Sequence, residues 1–392
     1  MSPIGGSSRG WNAPDLRKRN RAGVLRLVHA RGDIARNELA FELGLTKAAV
    51  SILVNELIAE GLVSEAGEQR GERRAGRRKI ALRLRPEAGA LLGVGIDSER
   101  TQLILSDLAG EPLAVRELPP PNETFASSLA VAARELLAAA GLAGEALLGA
   151  GVGVSGRVDE LRGVSLREPR LWEGELALRA PLEEALGICV SVDNNVRALA
   201  LAELLLCGER ATSGESLLFT KYGPGVGAAW TMGGRAWPGA HHRSGELGHT
   251  VVASEGSACP YCGRVGCLES LVSARALGER LGLDGRPAHE LCAILRERDG
   301  RAYEELAERF AVALGNAIEL YDPAAVVLYG PAFAEGPLFD EIARRVVSND
   351  RPCDVRRSRL DPALPALGGT ALALERFFAD GGAACAGGKL GL

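Results

Sequence analysis

Two strand-turn-strand units, more than a hundred residues apart, constrain the fold of this chain more than any other feature. Residues 91–96 form an apolar run, and residues 101–105 are its hairpin partner. Residues 216–220 and 228–232 form a second pair around a glycine-rich turn. The repeat predicts two similar lobes, and the cleft between two lobes is the usual place for a ligand. The 392 residues, 46% of them apolar, suffice for two or three domains.

Polar residues follow another strand that lies between these units. Gly151 begins a strand that runs into a glycine-bearing turn, and residues 188–192 form a further apolar strand. This second strand delivers Asn194 and Asn195 to a helix that begins near Val196. Polar side chains at the carboxyl end of such a strand usually face a ligand crevice. The sequence therefore places both asparagines at the predicted cleft.

A short window downstream carries one histidine and three cysteines. The cysteines have C-x2-C-x4-C spacing, which suits a tetrahedral zinc site, and eight cysteines in 392 residues are too sparse for a disulfide scaffold. The predicted ligands of a structural Zn²⁺ are His249, Cys259, Cys262 and Cys267. Carboxylates flank this window at Glu246 and Glu269, so a metal here would order a polar pocket. The alternative is a set of free thiols beside a surface histidine.

The net charge of −4 conceals an asymmetry along the chain. Residues 1–90 carry 17 Lys and Arg against 10 Asp and Glu, whereas the remainder carries 29 against 40. A basic module on an acidic body indicates contact with nucleic acid through the first segment. The sequence shows neither the apolar stretch of a signal peptide nor a run long enough to span a membrane. A cytoplasmic protein without membrane contact is therefore expected.

The basic segment has the pattern of a helix-turn-helix. An apolar stripe predicts a first helix from Asn20 to Arg31, residues 35–43 form a second helix, and Thr46 caps a third. In the third helix the apolar residues of one face are Val50, Leu53, Val54 and Leu57. The opposite face can then enter the major groove of DNA. The predicted DNA-contacting residues on this element are Thr46, Lys47, Ala48, Ser51 and Asn55.

Two strands follow the third helix, with a basic, glycine-bearing segment between them. The first strand starts near Leu62, and the alternating residues 80–84 form the second. Arg77 and Arg78, in the segment between, are predicted to neutralise phosphates or to enter the minor groove. The charge and the helix pattern agree, and they favour operator DNA as the partner over a protein docked on a winged helix.

Three motifs together resemble the ROK family (repressor, open reading frame, kinase). They are Gly-Val-Ser-Gly-Arg-Val-Asp at 153–159, Asp-Asn-Asn at 193–195 and Gly-Glu-Leu-Gly-His at 245–249. The cysteine window matches as well, and the winged helix in front resembles that of the family's transcriptional regulators. The resemblance runs from Gly93 to about Phe378. The combination is specific, although each glycine-rich piece alone would be weak evidence.

The resemblance implies an α/β protein in which a winged helix-turn-helix precedes a two-lobed, actin-like ATPase body of the sugar-kinase type. The expected boundaries are 1–86 for the DNA-binding domain, 87–204 for the first lobe and 205–392 for the second. The C-terminal helix is expected to pack back on the first lobe, and a sugar is expected in the cleft. The sugar-contacting residues implied by the resemblance are Asn194, Asn195, Glu246, His249 and Glu269.

Departures from the family's kinases argue against phosphoryl transfer. The kinases place an aspartate where this chain has Asn195, and an amide cannot take the proton of a sugar hydroxyl. Ser98-Glu99-Arg100 replaces their phosphate-binding Gly-Gly-Thr turn, and Pro224 stands where the second phosphate loop often has a threonine. The family also commonly shows C-x-C-x4-C, but the C-x2-C pair found here is itself a frequent zinc chelate.

These observations predict a sugar-responsive transcriptional regulator, a repressor without kinase activity. Ligand binding would close the lobes and reposition the DNA-binding heads of a homodimer or homotetramer on the operator. Two other functions stay open. The chain could be a sugar kinase with an added DNA-binding head, or a ligand-independent DNA-binding protein whose pocket has decayed.

Overall fold

The helices and strands of the chain form a head and two lobes. A computed structural model describes residues 12–68, 80–98, 100–122, 124–168, 170–207, 216–334, 336–347 and 353–384. Within these ranges no helix is both long enough and apolar enough to cross a lipid bilayer.

Three helices open the head, and capping residues set their ends. The helices are α1 (Ala13–Arg31), α2 (Arg36–Leu43) and α3 (Lys47–Ala59). The side chain of Asn12 accepts a hydrogen bond from the backbone of Asp15 at the start of α1. Gly44 ends α2 in the left-handed conformation, and Thr46 Oγ1 caps α3 by accepting from Ala49 N at 3.2 Å.

A three-stranded antiparallel sheet completes the winged helix. Its strands are β1 (Ile34–Ala35), β2 (Val63–Glu68) and β3 (Ile80–Leu84), in the order β1-β3-β2. Two predicted bounds were wrong. The first helix starts at Ala13 rather than near Asn20, because Asn12 caps it, and Ala35 belongs to β1 because it pairs with Ala81. The predicted DNA contacts Arg77 and Arg78 lie outside the described residues.

The predicted buried face of α3 is confirmed. Its four apolar residues, Val50, Leu53, Val54 and Leu57, are all at most 6% exposed. They pack against apolar residues of α1 and α2, among them Leu25 and Leu39. The polar face of α3 is therefore turned away from the rest of the head.

The first lobe is built on a five-stranded sheet. Its strands are β4 (Ala90–Ile96), β5 (Thr101–Asp107), β6 (Pro112–Leu118), β7 (Leu147–Val154) and β11 (Val190–Asn194), in the order β11-β7-β4-β5-β6. A small sheet of β8 (Arg157–Asp159), β9 (Val164–Arg167) and β10 (Leu176–Ala177) follows β7. Helices α4 (Phe125–Ala139) and α5 (Arg179–Leu186) contribute buried leucines to the core of this lobe.

The second lobe repeats the same sheet topology. Its strands are β12 (Leu217–Tyr222), β13 (Val226–Met232), β14 (Arg235–Ala236), β15 (Ala325–Tyr329) and β16 (Asp354–Arg357), in the order β14-β13-β12-β15-β16. Its helices are α7 (Leu268–Val272), α8 (Ala274–Leu281), α9 (Ala288–Arg298), α10 (Gly300–Tyr321), α11 (Pro331–Ala334) and α12 (Leu338–Val346).

The duplication predicted from the two strand-turn-strand units is confirmed. In each lobe an antiparallel meander of three strands is extended by two strands that run parallel to the first. Thus β6-β5-β4-β7-β11 corresponds to β14-β13-β12-β15-β16. The carboxyl ends of β4, β7, β11 and β12 all reach the space between the lobes, where a ligand crevice is expected.

Two helices, α6 (Asn195–Leu206) and α13 (Leu367–Ala379), fill the space between the sheets. Close packing of α13 on β4 and β7 depends on glycine. A Cβ atom on Gly151 would lie 2.1 Å from the carbonyl oxygen of Gly369, and one on Gly93 would lie 2.4 Å from that of Ala366. The C-terminal helix therefore packs on the sheet of the first lobe.

The head shares its core with the body. Val24, Leu25 and Val28 of α1 belong to the same buried cluster as Leu374 and Phe378 of α13. Polar contacts flank this junction. The guanidinium of Arg26 donates to both carboxylate oxygens of Glu375, at 3.1 and 2.6 Å, and Lys18 pairs with Asp380 at 2.6 Å. His29, also on α1, reaches the last turn of α6, where its Nε2 donates to the carbonyl oxygen of Leu205 at 2.9 Å.

Candidate functional site

A cleft of about 500 Å³ lies between the two lobes. Its walls come from the β4–β5 turn, the segment between β7 and β8, the start of α6, the β12–β13 turn and the cysteine loop. The five residues predicted to contact sugar all line it: Asn194, Asn195, Glu246, His249 and Glu269. The fold therefore brings together side chains that are up to 75 positions apart in the sequence.

The two asparagines at the start of α6 differ in how free their side chains are. Asn194 caps the helix, because its Oδ1 accepts from the backbone of Val196 at 2.9 Å and of Arg197 at 3.1 Å. Its Nδ2 donates to the carbonyl oxygen of Gly156 at 2.8 Å. The side chain of Asn195 makes no hydrogen bond to any described residue. Asn195 is thus available to a ligand, whereas Asn194 mainly holds the wall of the cleft in place.

The predicted metal ligands converge. One ligand atom from each of His249, Cys259, Cys262 and Cys267 lies within 4.8 Å of all the others. Cys259 Sγ is 3.9 Å from His249 Nδ1, and Cys262 Sγ is 3.9 Å from Cys267 Sγ. A tetrahedron with metal–sulfur bonds of about 2.3 Å has edges of about 3.8 Å. The four side chains therefore fit a tetrahedral Zn²⁺ site of the Cys3His type.

The backbone of the loop explains how the four ligands meet. Gly266 has a φ of +71°, and a Cβ atom there would lie 1.9 Å from the carbonyl oxygen of Ala253. Only glycine fits this turn, which delivers Cys267 to the cluster. Burial raises the pKa of the Cys259 thiol to about 11, so a metal ion that binds here displaces its proton.

The ring of His249 joins the metal site to the cleft. Its Nδ1 faces the sulfur of Cys259, while its Nε2 lies 3.9 Å from Oε2 of Glu246. A metal on Nδ1 fixes the tautomer with hydrogen on Nε2, the nitrogen on the Glu246 side. Glu269 lies on the other side of the loop, where its Oε2 accepts from the backbone of Val226 at 3.0 Å. An imidazole, an amide and two carboxylates thus line the cleft, and each of these groups can form a hydrogen bond with a hydroxyl.

Local hydrogen bonds close the β4–β5 turn and the β12–β13 turn. Asp97 Oδ1 accepts from the backbone of Arg100 at 3.1 Å, and Glu99 lies outside the described residues. In the β12–β13 turn the backbone of Gly223 donates to the carbonyl of Gly225 at 3.0 Å. Pro224 has no N–H to offer between them.

Two contacts across the cleft were not predicted from the sequence. The guanidinium of Arg170, in the first lobe, lies 5.3 Å from the ring centroid of Tyr261, in the cysteine loop. His242 Nδ1, in the second lobe, donates to Glu160 of the first lobe at 3.0 Å. No motif marks these residues, because each contact joins segments about 80 or more positions apart.

A buried ion pair supports the same wall of the cleft. Arg197 Nε donates to Asp193 at 2.7 Å, and its Nη2 donates to the carbonyl oxygen of Val158 at 3.0 Å. Burial raises the pKa of the Asp193 carboxyl, although Arg197 opposes this shift. The pair ties the start of α6 to β8.

The polar face of α3 is exposed, as a DNA-reading helix requires. Thr46, Lys47, Ala48 and Asn55 are exposed, and Ser51 is partly so. Local bonds already use three of these side chains. Thr46 caps the helix, Ser51 Oγ donates to the carbonyl of Lys47 at 2.8 Å, and Asn55 Oδ1 accepts from Arg36 at 2.8 Å. Arg36 is an additional basic residue beside this face that the sequence analysis missed.

A winged helix-turn-helix joined to a two-lobed, actin-like body of the sugar-kinase type is the class of protein that this fold defines. Residues 91–376 match the ROK family, and residues 18–75 match the MarR family. The chain belongs to the ROK family.

Named relatives include regulators. The chain is 29% identical over 355 residues to a putative xylose repressor of Caldicellulosiruptor sp. (strain Rt8B.4), a match that covers 85% of this chain and 88% of the relative. It is 27% identical over 348 residues to the DNA-binding transcriptional dual regulator NagC of Escherichia coli (strain K12), covering 84% of each.

Solved structures agree on the fold. A ROK family transcriptional regulator described as a homologue of the E. coli MLC protein matches with a TM-score of 0.77 and 23% identity, covering 94% of this chain and 98% of its own. Structures of ROK kinases match the body, each covering 72% or 73% of this chain.

Proposed function

We propose that this chain is a sugar-responsive transcriptional repressor that binds operator DNA through α3 and the basic segment between β2 and β3, and a sugar or sugar derivative in the cleft. The observation that carries the proposal is the position of α6. Its first residue, Asn195, lines the cleft, and its last turn accepts the hydrogen bond from His29 of the head. One rigid element of 12 residues thus touches both the ligand site and the DNA-binding domain.

Packing supports transmission along this element. Helix α6 shares a buried cluster with α13, and α13 shares a second cluster with α1. A sugar that draws the lobes together around Asn195 changes the packing of α6. The head then moves with α6 and α13, because it has no separate core at this junction. The binding free energy for the operator can then change by at most the difference between the sugar's binding free energies for the open and closed states.

Zinc has a structural role in this proposal. The ion would be held by His249 and the three cysteines, and it would fix the side chains of the cysteine loop that face the cleft. The proposed oligomer is a dimer or tetramer, so that two heads meet two operator half-sites separated by whole turns of the duplex. A footprint with a single unpaired half-site would contradict the dimer.

Kinase activity is not part of the proposed function. Asn195 can donate to or accept from a hydroxyl, but it cannot remove the proton during phosphoryl transfer. Pro224 offers no backbone donor to a phosphate, and Asp97 uses one carboxylate oxygen to close its own turn. Binding without chemistry is what these side chains permit.

The test combines three readings on one panel of sugars and sugar derivatives. Thermal shift measures binding, a coupled assay measures ADP release, and operator retention measures the response. A panel member that raises the melting temperature and alters operator retention without releasing ADP supports the proposal. ADP release at a turnover typical of sugar kinases indicates the kinase alternative, and the absence of any shift indicates a decayed pocket. Glu246→Ala should abolish the shift, whereas Glu255→Ala, an exposed carboxylate outside the cleft lining, should preserve it.

A further inference from the structure

The cleft carries more positive charge than a neutral sugar requires. Seven basic and four acidic residues line it, although the chain as a whole has a net charge of −4. Some of these basic side chains are already bound within the protein. Arg170 pairs with Glu168 at 3.0 Å, Arg197 pairs with Asp193, and Arg264 donates to the carbonyl of His249 at 3.0 Å.

Two other arginines of the cleft are not neutralised in this way. Arg157 of β8 and Arg167 of β9 line the cleft, and neither has an ion pair or hydrogen bond with any side chain in the described ranges. The two residues lie directly opposite each other in the β8–β9 ladder. Like charges at opposed positions of an antiparallel pair are destabilising unless something neutralises them. An anion that binds between the two guanidinium groups would remove this repulsion.

A buried hydroxyl points to the same place. Ser155 is 6% exposed, lines the cleft two residues before Arg157, and its Oγ has no hydrogen-bond partner among the described residues. A buried hydroxyl without a partner costs about 1–3 kcal/mol, so such groups normally have one. A ligand oxygen in the cleft supplies the missing partner.

The neighbouring helix favours the same charge. The amino terminus of α6 opens on the cleft at Asn195, and the positive end of a helix dipole attracts anions. Asn195 itself adds no charge. A carboxylate at this position would repel an anion, and the amide can instead donate a hydrogen bond to it.

We propose that the ligand of this cleft is an anionic sugar derivative, a sugar phosphate or a sugar acid, whose anionic group is bound by Arg157, Arg167 and Ser155. The inference rests on the proposed sensing function and names the class of its ligand. The sugar ring then lies against Glu246, His249 and Glu269, and the anionic group faces the β8–β9 hairpin. Guanidinium groups suit this role because they bind carboxylate and phosphate oxygens with two parallel hydrogen bonds.

The experiment measures dissociation constants by calorimetry for matched sets of ligands on the full chain. Each set contains a neutral sugar, its phosphate ester and its uronic acid, taking glucose, N-acetylglucosamine and xylose as parents where the derivative exists. The variants are Arg157→Gln and Arg167→Gln. The matched control is Arg162→Gln, which removes the same charge from the same hairpin at an exposed position that does not line the cleft.

We expect at least one anionic derivative to bind more than about tenfold more tightly than its neutral parent. Arg157→Gln and Arg167→Gln should each weaken the affinity for the anionic derivative by about the same factor and leave the affinity for the neutral parent sugar unchanged. The melting temperature of the free protein should stay the same or rise. Arg162→Gln should change neither affinity, and Arg157→Lys should retain most of the preference.

The phosphate and uronate arms separate the two sources of the anion. A phosphate ester loses affinity as the pH falls through about 6, where its second proton binds, whereas a uronate does not. Neutral sugars that bind as tightly as every anion, or equal losses for both classes in the variants, would overturn the inference while leaving the sensing function intact. Failure of the whole panel to bind would overturn both.

Discussion

The shared core of head and body predicts that a single truncation on α13 loosens the DNA-binding domain. Phe378 is fully buried, and its ring lies 5.3 Å from that of His29 on α1. Truncation of a buried phenylalanine to alanine costs about 3–5 kcal/mol. If α1 loses that amount through Phe378→Ala, the amide hydrogens of α1 should exchange at least about a hundredfold faster, because about 1.4 kcal/mol corresponds to a factor of ten.

The assay is hydrogen exchange followed by mass spectrometry, with peptides from α1, α10 and α13. The matched control is Phe333→Ala, which deletes the same side chain, also fully buried, from the core of the second lobe. This control should speed exchange in α10 and leave α1 protected. The reasoning would be refuted if Phe378→Ala left α1 as protected as in the parent chain, or if both variants affected α1 equally.

Three further predictions follow from the metal site, the junction and α3. Elemental analysis should find that Cys267→Ser has lost its equimolar zinc, and the melting temperature of this variant should be lower. Cys292 is a buried thiol outside the cluster, so Cys292→Ser should keep the metal. Full metal retention in Cys267→Ser would contradict the assignment. Burial lowers the pKa of His29 in the folded state. The stability that neutral His29 contributes to the head–body contact is therefore complete above about pH 6.5, and it is lost as the pH falls through the lower pKa of the folded state. His29→Gln should remove that part of the pH dependence of α1 exchange, and an unchanged profile would count against it. Lys47→Ala should weaken operator binding and reduce the slope of log affinity against log salt by about one; an unchanged slope would mean that Lys47 meets no phosphate.

Local sequence patterns predicted most elements of the fold, because capping residues and hydrophobic periodicity act within a few residues. One example is the buried face of α3, which includes Val50 and Leu57. Another is the strand that ends directly before Asn195, the first residue of α6. The bound at Ala35 failed because a distant partner decides it. Ala35 has the pattern of a helix start, but pairing with Ala81 of β3 places it in a strand.

The residues of the candidate site that belong to sequence motifs were predictable, and the others were not. Four ligands within 19 positions of one loop predict a metal cluster, and the structure brings them together. Arg167 carries no such signal, because only its register with Arg157 across the β8–β9 ladder gives it a role. The bond from Asn194 Nδ2 to the carbonyl oxygen of Gly156 likewise joins residues 38 positions apart, and spacing alone does not reveal it.

The most direct test of the regulator is a reciprocal titration. Fluorescence anisotropy measures the affinity for an operator duplex selected from a random library, with and without a saturating ligand from the panel, and calorimetry measures the affinity for that ligand with and without the duplex. Coupling through α6 predicts that both affinities change by the same factor, about 5–150-fold. An operator affinity that is identical with and without the bound ligand would contradict the account.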